Sequence, residues 1–314
     1  MKKIYLAGAI LATTISFGQQ TLPFTDAFNY PAGNLHDTAP WEALGFPNAG
    51  GDHILLDGSK VIFAGIGTDA QIKVTPQSSG TVFYKFSLKV VSMAGVTQAN
   101  GGYLAGFATN AITHGGTLWT KRVDDNTFKF GIETATATGV DTTWDTADYS
   151  TGTTYTVVVA YTFGTGTSDD ITSLWVNPTG ADEASPLLTD YHTGTDLAYI
   201  ESFFLRQDSV QETPSVEIDN VKVSNSFTEV LANTKFNAIA GLKIFPNPVT
   251  DGKLFISSDT GTTKTIAIYN ALGKQVLNTT IENGYVNTSN LSTGVYMVKI
   301  TEEGKTATRK LVIK

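Results

Sequence analysis

From Leu22 to about Phe227, apolar side chains recur at every second position in short runs separated by turn residues. This alternation constrains the chain more than any other feature, because a period of two builds strands with one buried face and cannot hide the same residues on a helix. The clearest run is Thr81 to Val90: Val82, Tyr84, Phe86, Leu88 and Val90 share one face and Thr81, Lys85, Ser87 and Lys89 the other, with Phe83 the apolar exception. Tyr155 to Phe163 alternates likewise, and its small, half-apolar second face predicts a central strand. His53 to Phe63 reads as a hairpin turning at Asp57-Gly58, a pair that accepts positive φ angles. Further runs at Tyr103 to Ala108, Phe128 to Ile132, Ile171 to Val176, Ile200 to Leu205 and Val216 to Val223 bring the expected count to about nine or ten strands. No stretch carries a helical period of useful length, so the expected fold is all-β, a sandwich or barrel.

Composition narrows the reading. The 314 residues include no cysteine, which removes disulfides, thiolate metal sites and cysteine nucleophiles together, so stability must come from packing. The net charge is −8 and no long Lys/Arg run occurs, so the electrostatic footprint of a nucleic-acid binder is missing. At the amino terminus, Lys2 and Lys3, the apolar stretch Ile4 to Ile15 and the small residues around Ser16-Phe17-Gly18 read as a secretion signal, residues 1–18, cleaved before Gln19. The stretch is short for a membrane span, and no other segment approaches that length.

The opening Phe24 to Leu35 (FTDAFNYPAGNL), Trp41 soon after it, and the closing Val216 to Phe227 (VEIDNVKVSNSF) resemble the ends of the concanavalin A-like, or laminin G-like, jelly-roll domains of exported Bacteroidetes proteins. The resemblance covers residues 22–228, within a domain assigned to residues 19–230. It implies a jelly-roll sandwich, a fold shared by lectins, glycan-binding modules, adhesion domains and some glycosidases, so it assigns no function by itself.

After a linker at residues 231–241 the composition shifts, and residues 242–314 carry four ordered blocks: Lys243 to Ile256, Ile266 to Asn278, Leu291 to Ile300 and Thr308 to Lys314. In order and spacing these resemble the type A carboxy-terminal sorting domain of type IX secretion substrates. The match falls on Pro246, Asn247, Pro248, Gly273, Gly294, Tyr296 and Lys310. It implies a small immunoglobulin-like sandwich whose partners are the type IX secretion machinery and its sortase. It also implies passage through the periplasm to the outer surface or the medium. The residues suit such a sandwich: the prolines confine their segment to an edge, Asp251-Gly252 makes a turn, and Gly273 and Gly294 end or reverse strands.

The central domain offers weaker chemistry. Gly65 to Ala70 (GIGTDA) imitates a dinucleotide loop but runs into a strand-like segment and Pro76, where a phosphate site needs a helix. His36, His53, His114 and His192 stand far apart and at no ligand spacing, so neither metal nor cofactor is expected. Glu217, Asp219 and Lys222 resemble the E-x-D-x-x-E strand motif of family 16 glycoside hydrolases, with lysine where the acid/base carboxylate belongs. A lysine near its ordinary pKa is a poor general acid, and the simpler reading is a terminal strand burying Val216, Ile218, Val221 and Val223 across a bulge. For sugar stacking the candidates are Trp144, set in the polar stretch Glu133 to Thr154, with Tyr149 and Trp119; Trp175 and Trp41 read as core. The expectation is therefore a non-catalytic binding or adhesion protein with glycan as ligand. The alternatives are a polysaccharide-degrading hydrolase or lyase and a structural surface-layer component.

Overall fold

The computed structural model describes residues 18–45, 52–135, 141–191, 195–232, 239, 241–259, 261–270, 273–282, 284–302 and 305–314. Most of the expected signal, most of the linker and His192 lie outside the described residues. The chain divides into two compact units, Met1–Ala232 and Asn233–Lys314.

The first unit includes the strands β1 (Val61–Phe63), β2 (Ala70–Gln77), β3 (Thr81–Ser92), β4 (Gly102–Asn110), β5 (Thr113–Arg122) and β6 (Thr127–Ala135). They continue with β7 (Thr143–Trp144), β8 (Thr154–Thr162), β9 (Ile171–Val176), β10 (Leu188–Tyr191), β11 (Ile200–Leu205) and β12 (Ser215–Ser224), followed by the short helix α1 (Phe227–Leu231). One antiparallel sheet runs β10-β9-β8-β3-β12-β1 and ends on Leu55–Leu56 and Gly33–Asn34; the other runs β7-β6-β5-β4-β11-β2 and ends on Glu42–Ala43. The two close on one core, where Tyr84 of β3 meets Phe107 of β4 and Phe203 of β11, each at 5.1 Å between ring centroids. This is the expected jelly-roll sandwich.

The alternation of β3 holds: Val82, Tyr84, Phe86, Leu88 and Val90 are all buried. Phe83, on the other face, is covered by α1, with Phe227 at 5.8 Å, and Trp175 of β9 closes the same cluster at 4.9 Å from Phe227. The helix also covers Val158 and Ala160, which explains why the second face of β8 is half-apolar. No helix was expected here, because five residues are too few to show a period; Ser226 starts it by accepting a hydrogen bond from the Glu229 amide. Strand β5 was also missed, since Thr113 to Arg122 carries Gly115-Gly116 where alternation would show. Gly115 is required, because a Cβ there would lie 2.6 Å from the Thr134 carbonyl oxygen of the neighbouring strand. The segment Gly65 to Ala70 continues into β2 without a helix, as the strand reading required. Trp41 is a core plug, its Nε1 donating to Asp26 at 2.8 Å.

The second unit carries β13 (Lys243–Phe245), β14 (Lys253–Ser257), β15 (Lys264–Tyr269), β16 (Gln275–Ile281), β17 (Tyr285–Asn287), β18 (Gly294–Glu302) and β19 (Lys305–Ile313). Its sheets run β13-β14-β17 and β16-β15-β18-β19 and share a core of Leu254, Ile256, Ile266, Ile268, Val298, Ile300 and Leu311. Inside it, Lys264 and Glu302 form a fully buried ion pair at 2.8 Å.

Candidate functional site

Register across the second sheet of the first unit brings four distant residues into one transverse row. Tyr103 of β4 pairs with Trp119 of β5, Trp119 with Gly131 of β6, and Gly131 with Trp144 of β7. Directly opposed residues of antiparallel strands share a face, and here it is the face turned away from the core, since Leu118 and Phe130 beside them point inward. Tyr103 and Trp119 lie 5.1 Å apart. Gly131 leaves the gap that the Trp144 ring fills, because a Cβ there would sit 2.6 Å from that ring. Lys121 lies over the same ring at 4.3 Å.

Around the row the polar groups are held in place. Trp119 Nε1 donates to Thr117 Oγ1 at 2.8 Å, and the Thr117 hydroxyl donates to the Glu133 carbonyl at 3.2 Å. The Arg206 guanidinium stands over the Tyr103 ring at 4.1 Å and pairs with Asp208 at 2.9 Å and Asp69 at 3.9 Å. Tyr103 Oη and His114 Nδ1 share a hydrogen bond of 3.2 Å. Burial raises the Asp69 carboxyl to about 7 against the opposing pull of the Gln207 amide and Arg206. Burial, with Arg206 second, lowers His114 to about 4. Such a face offers aromatic surfaces and fixed donors and acceptors.

The sequence candidates are thus partly united and partly separated. Trp144 is not on a free loop: it is a half-buried strand residue folded onto Gly131. Trp119, the second stacking candidate, lies in strand β5 and is only 7% exposed. Tyr149 leaves the group. Paired with Phe128, it faces the core against Phe130 and Tyr155, and its hydroxyl donates to Asp145 at 2.5 Å. Tyr103 and Arg206 were missed; nothing local marks them, since only the β4–β5 and β4–β11 pairings place them beside Trp119.

The carboxylates of β12 lie on the other sheet, in a shallow depression of about 230 Å³. Glu217 is paired with Lys60 at 3.0 Å and Lys89 at 3.5 Å, and the Lys60 bond above all holds its carboxyl below the usual range. Asp219 accepts from the Asn220 backbone at 2.6 Å, where Asn220 takes a φ of 55° and the register slips before Lys222. Val216, Ile218, Val221 and Val223 are buried, as the bulged-strand reading predicted. Lys222 is 1% exposed and donates through Nζ to the carbonyls of Glu229 and Ala232, capping the end of α1. Burial lowers its pKa. The third position of the hydrolase motif is therefore spent on holding the helix.

Two further groupings depart from the sequence reading. The rings of His36 and His53 meet at 4.9 Å, a contact that sequence separation hid. Among the described residues, Asp169, Asp170 and Asp196 bring carboxylate oxygens within 4.8 Å of one another. These already accept hydrogen bonds from Tyr161 and from the Gly164, Gly166, Asp169 and Asp170 amides.

In the second unit the motif residues stitch the last strand in place. The Asn247 side chain donates to the Lys310 carbonyl at 2.8 Å and accepts from the Val312 amide at 2.9 Å. Val249, just past Pro248, donates to Val312 and accepts from Lys314. Pro246 follows the end of β13, which is an edge strand as prolines require. Gly273 takes a φ of 78° in the β15–β16 turn, Gly294 opens β18 opposite Ile313, and Tyr296 donates to the Ser292 carbonyl at 2.8 Å. Lys310 itself is exposed.

Residues 243–314 match the family described as the secretion system C-terminal sorting domain. The carboxy-terminal unit is a sorting domain. Its presence marks the chain for export, to the cell surface or beyond it. No curated protein matches the chain. Among solved structures, the chain is similar to an endo-1,3-β-glucanase from Streptomyces sioyaensis, at 14% identity over 68% of this chain and 98% of that one, with a TM-score of 0.37. It is also similar to a heptameric SAP-like pentraxin from Limulus polyphemus, at 15% identity, 55% and 79% coverage and a TM-score of 0.36. A third is the carbohydrate recognition domain of Emp46p, at 12% identity, 63% and 97% coverage and a TM-score of 0.34. None of these likenesses is close enough to assign an activity.

Proposed function

We propose that this protein is delivered by the type IX secretion machinery through the periplasm to the outer surface or the medium, with its signal removed before Gln19 and its sorting unit released by the associated sortase near the linker. We further propose that the first unit is a non-catalytic binding domain for extracellular glycan. The observation that carries this reading is the transverse row Tyr103, Trp119, Gly131 and Trp144, flanked by Arg206 and Lys121. Aromatic faces take the apolar side of a sugar ring, and neighbouring charged groups hydrogen-bond its hydroxyls.

A glycan array probed with the mature protein tests it: specific binding without turnover is expected, and Trp144→Ala should weaken that binding by about 1–3 kcal/mol. Binding unaffected by loss of the ring would remove the row from the reading. Glu217 and Asp219 motivate the hydrolytic alternative, so laminarin, agarose, carrageenan and mixed-linkage glucan should stay intact. Turnover abolished by Glu217→Gln would replace the binding reading with an enzymatic one. Silence in both assays would favour the structural surface-layer role.

A further inference from the structure

The sorting unit presents a second aromatic row, and this one is open. Phe245 of β13 pairs with Phe255 of β14, and Phe255 with Tyr285 of β17, so three rings cross the whole small sheet in register. Phe245 and Phe255 stack at 5.6 Å with 13° between their planes, and Tyr285 follows at 5.7 Å. Their neighbours Leu254, Ile256 and Val286 point into the core, which fixes the rings on the outer face. Phe245 is 48% and Tyr285 45% exposed. Lys253 lies 5.0 Å over the Tyr285 ring, and Lys243, two residues before Phe245, shares the same face.

An exposed row of aromatic rings on a small domain marks an interaction surface, because stability alone would bury it. Charge says what kind of partner fits. Residues 233–314 hold ten Lys/Arg against five Asp/Glu, a net +5, whereas residues 19–232 hold nine against 24, a net −15. The exposed lysines of the aromatic face belong to the basic unit of an otherwise acidic protein. Other motif residues are engaged internally: Asn247 holds the last strand, Gly273 makes a turn, Gly294 opens a strand and Tyr296 closes a loop. Phe245, directly before Pro246, is left facing outward.

Resting on the sorting-domain assignment, we propose that Phe245, Phe255, Tyr285 and Lys253 form the surface by which the unit docks on a protein of the secretion machinery. The partner presents apolar sockets for the rings and carboxylates at their rim for the lysines. The aromatic centre supplies affinity and the charge supplies orientation and encounter rate.

The test uses the full chain in a bacterium that exports it, with extracellular and periplasmic protein measured separately. Phe245→Ser combined with Tyr285→Ser, and separately Lys253→Glu, should each cut the extracellular fraction by at least about tenfold and leave the protein in the periplasm. The melting temperature of each purified variant is the check on folding. Should the double variant lose its fold, Lys253→Glu carries the decision, because a charge reversal on an exposed side chain leaves the core intact. Normal export of the folded variants, with a chain ended at Ala240 retained, would overturn the docking surface while keeping the sorting assignment. Export of the shortened chain as well would remove both. Normal export together with lost retention on a polysaccharide gel would make the row a sugar platform and overturn the protein partner.

Discussion

The two units solve the same geometric problem with opposite results. Each aligns aromatic side chains across adjacent antiparallel strands, through Tyr103, Trp119 and Trp144 in one and Phe245, Phe255 and Tyr285 in the other. The first row is embedded: Trp119 has a hydrogen-bond partner, Tyr103 lies under a guanidinium, and Trp144 fills the space above a glycine. In the second, Lys253 lies over Tyr285, and Phe245 and Tyr285 are about half exposed. Equal registry therefore yields a rigid, polar-flanked face in one unit and an open apolar one in the other, which suits oriented recognition in the first and docking on a larger protein in the second.

The contrast is broken most directly by removing one ring from each row. Trp119→Ala should cost about 3–5 kcal/mol in denaturant unfolding of the first unit, because the ring is buried and its hydrogen bond to Thr117 goes with it. A loss under about 1 kcal/mol would mean that Trp119 is a surface ring and that the two rows are alike.

Next in size is the pH response of the embedded row. Burial holds the folded-state pKa of Asp69 at about 7, well above the ordinary carboxylate range, so its neutral form favours folding. That contribution is complete below about pH 4 and is lost as pH rises through 7. Its full span is on the order of 2–4 kcal/mol. His114, lowered to about 4, acts in the other direction and withdraws stability as pH falls through 4. Between about pH 4 and 6.5 the two slopes oppose and largely cancel, so the Asp69 contribution is read by difference: the stability of Asp69→Asn relative to wild type should rise as pH goes from 4 to 7. A difference between Asp69→Asn and wild type that stays constant from pH 4 to 7 would contradict the raised Asp69 carboxyl.

In the sorting unit Asn247→Ala should cost about 1–3 kcal/mol, since it leaves the Lys310 carbonyl and the Val312 amide without their partner. Equal protease resistance of wild type and variant at the carboxy-terminal strand would show that the motif asparagine serves recognition instead. The smallest effect belongs to the open row: Phe245→Ser or Tyr285→Ser should change the melting free energy by under about 1 kcal/mol each, because both rings are half in water already. Larger losses would make the row part of the fold and sharpen the contrast away.

The sequence alone determined the fold class, because alternation of apolar residues is a local property that survives any tertiary arrangement. Val82 to Val90 declared their buried face, the four carboxy-terminal blocks declared a sorting unit, and the bulge in β12 was legible from the spacing of Val216, Ile218, Val221 and Val223. Pairing was not legible. Which residue of β5 lies opposite Tyr103, and which residue of β6 lies opposite Trp144, depends on contacts between strands far apart in the chain. The sequence could nominate Trp119 and Trp144 but could not seat them on either side of Gly131, and it placed Tyr149 beside them although that ring turns inward. The terminal-strand reading left Lys222 without a role, and only the structure shows α1 above it, a helix too short to leave a period. Local pattern fixes which side chains must be hidden; only the assembled sheets decide which of the remaining ones meet, since that choice rests on register and on what covers each face.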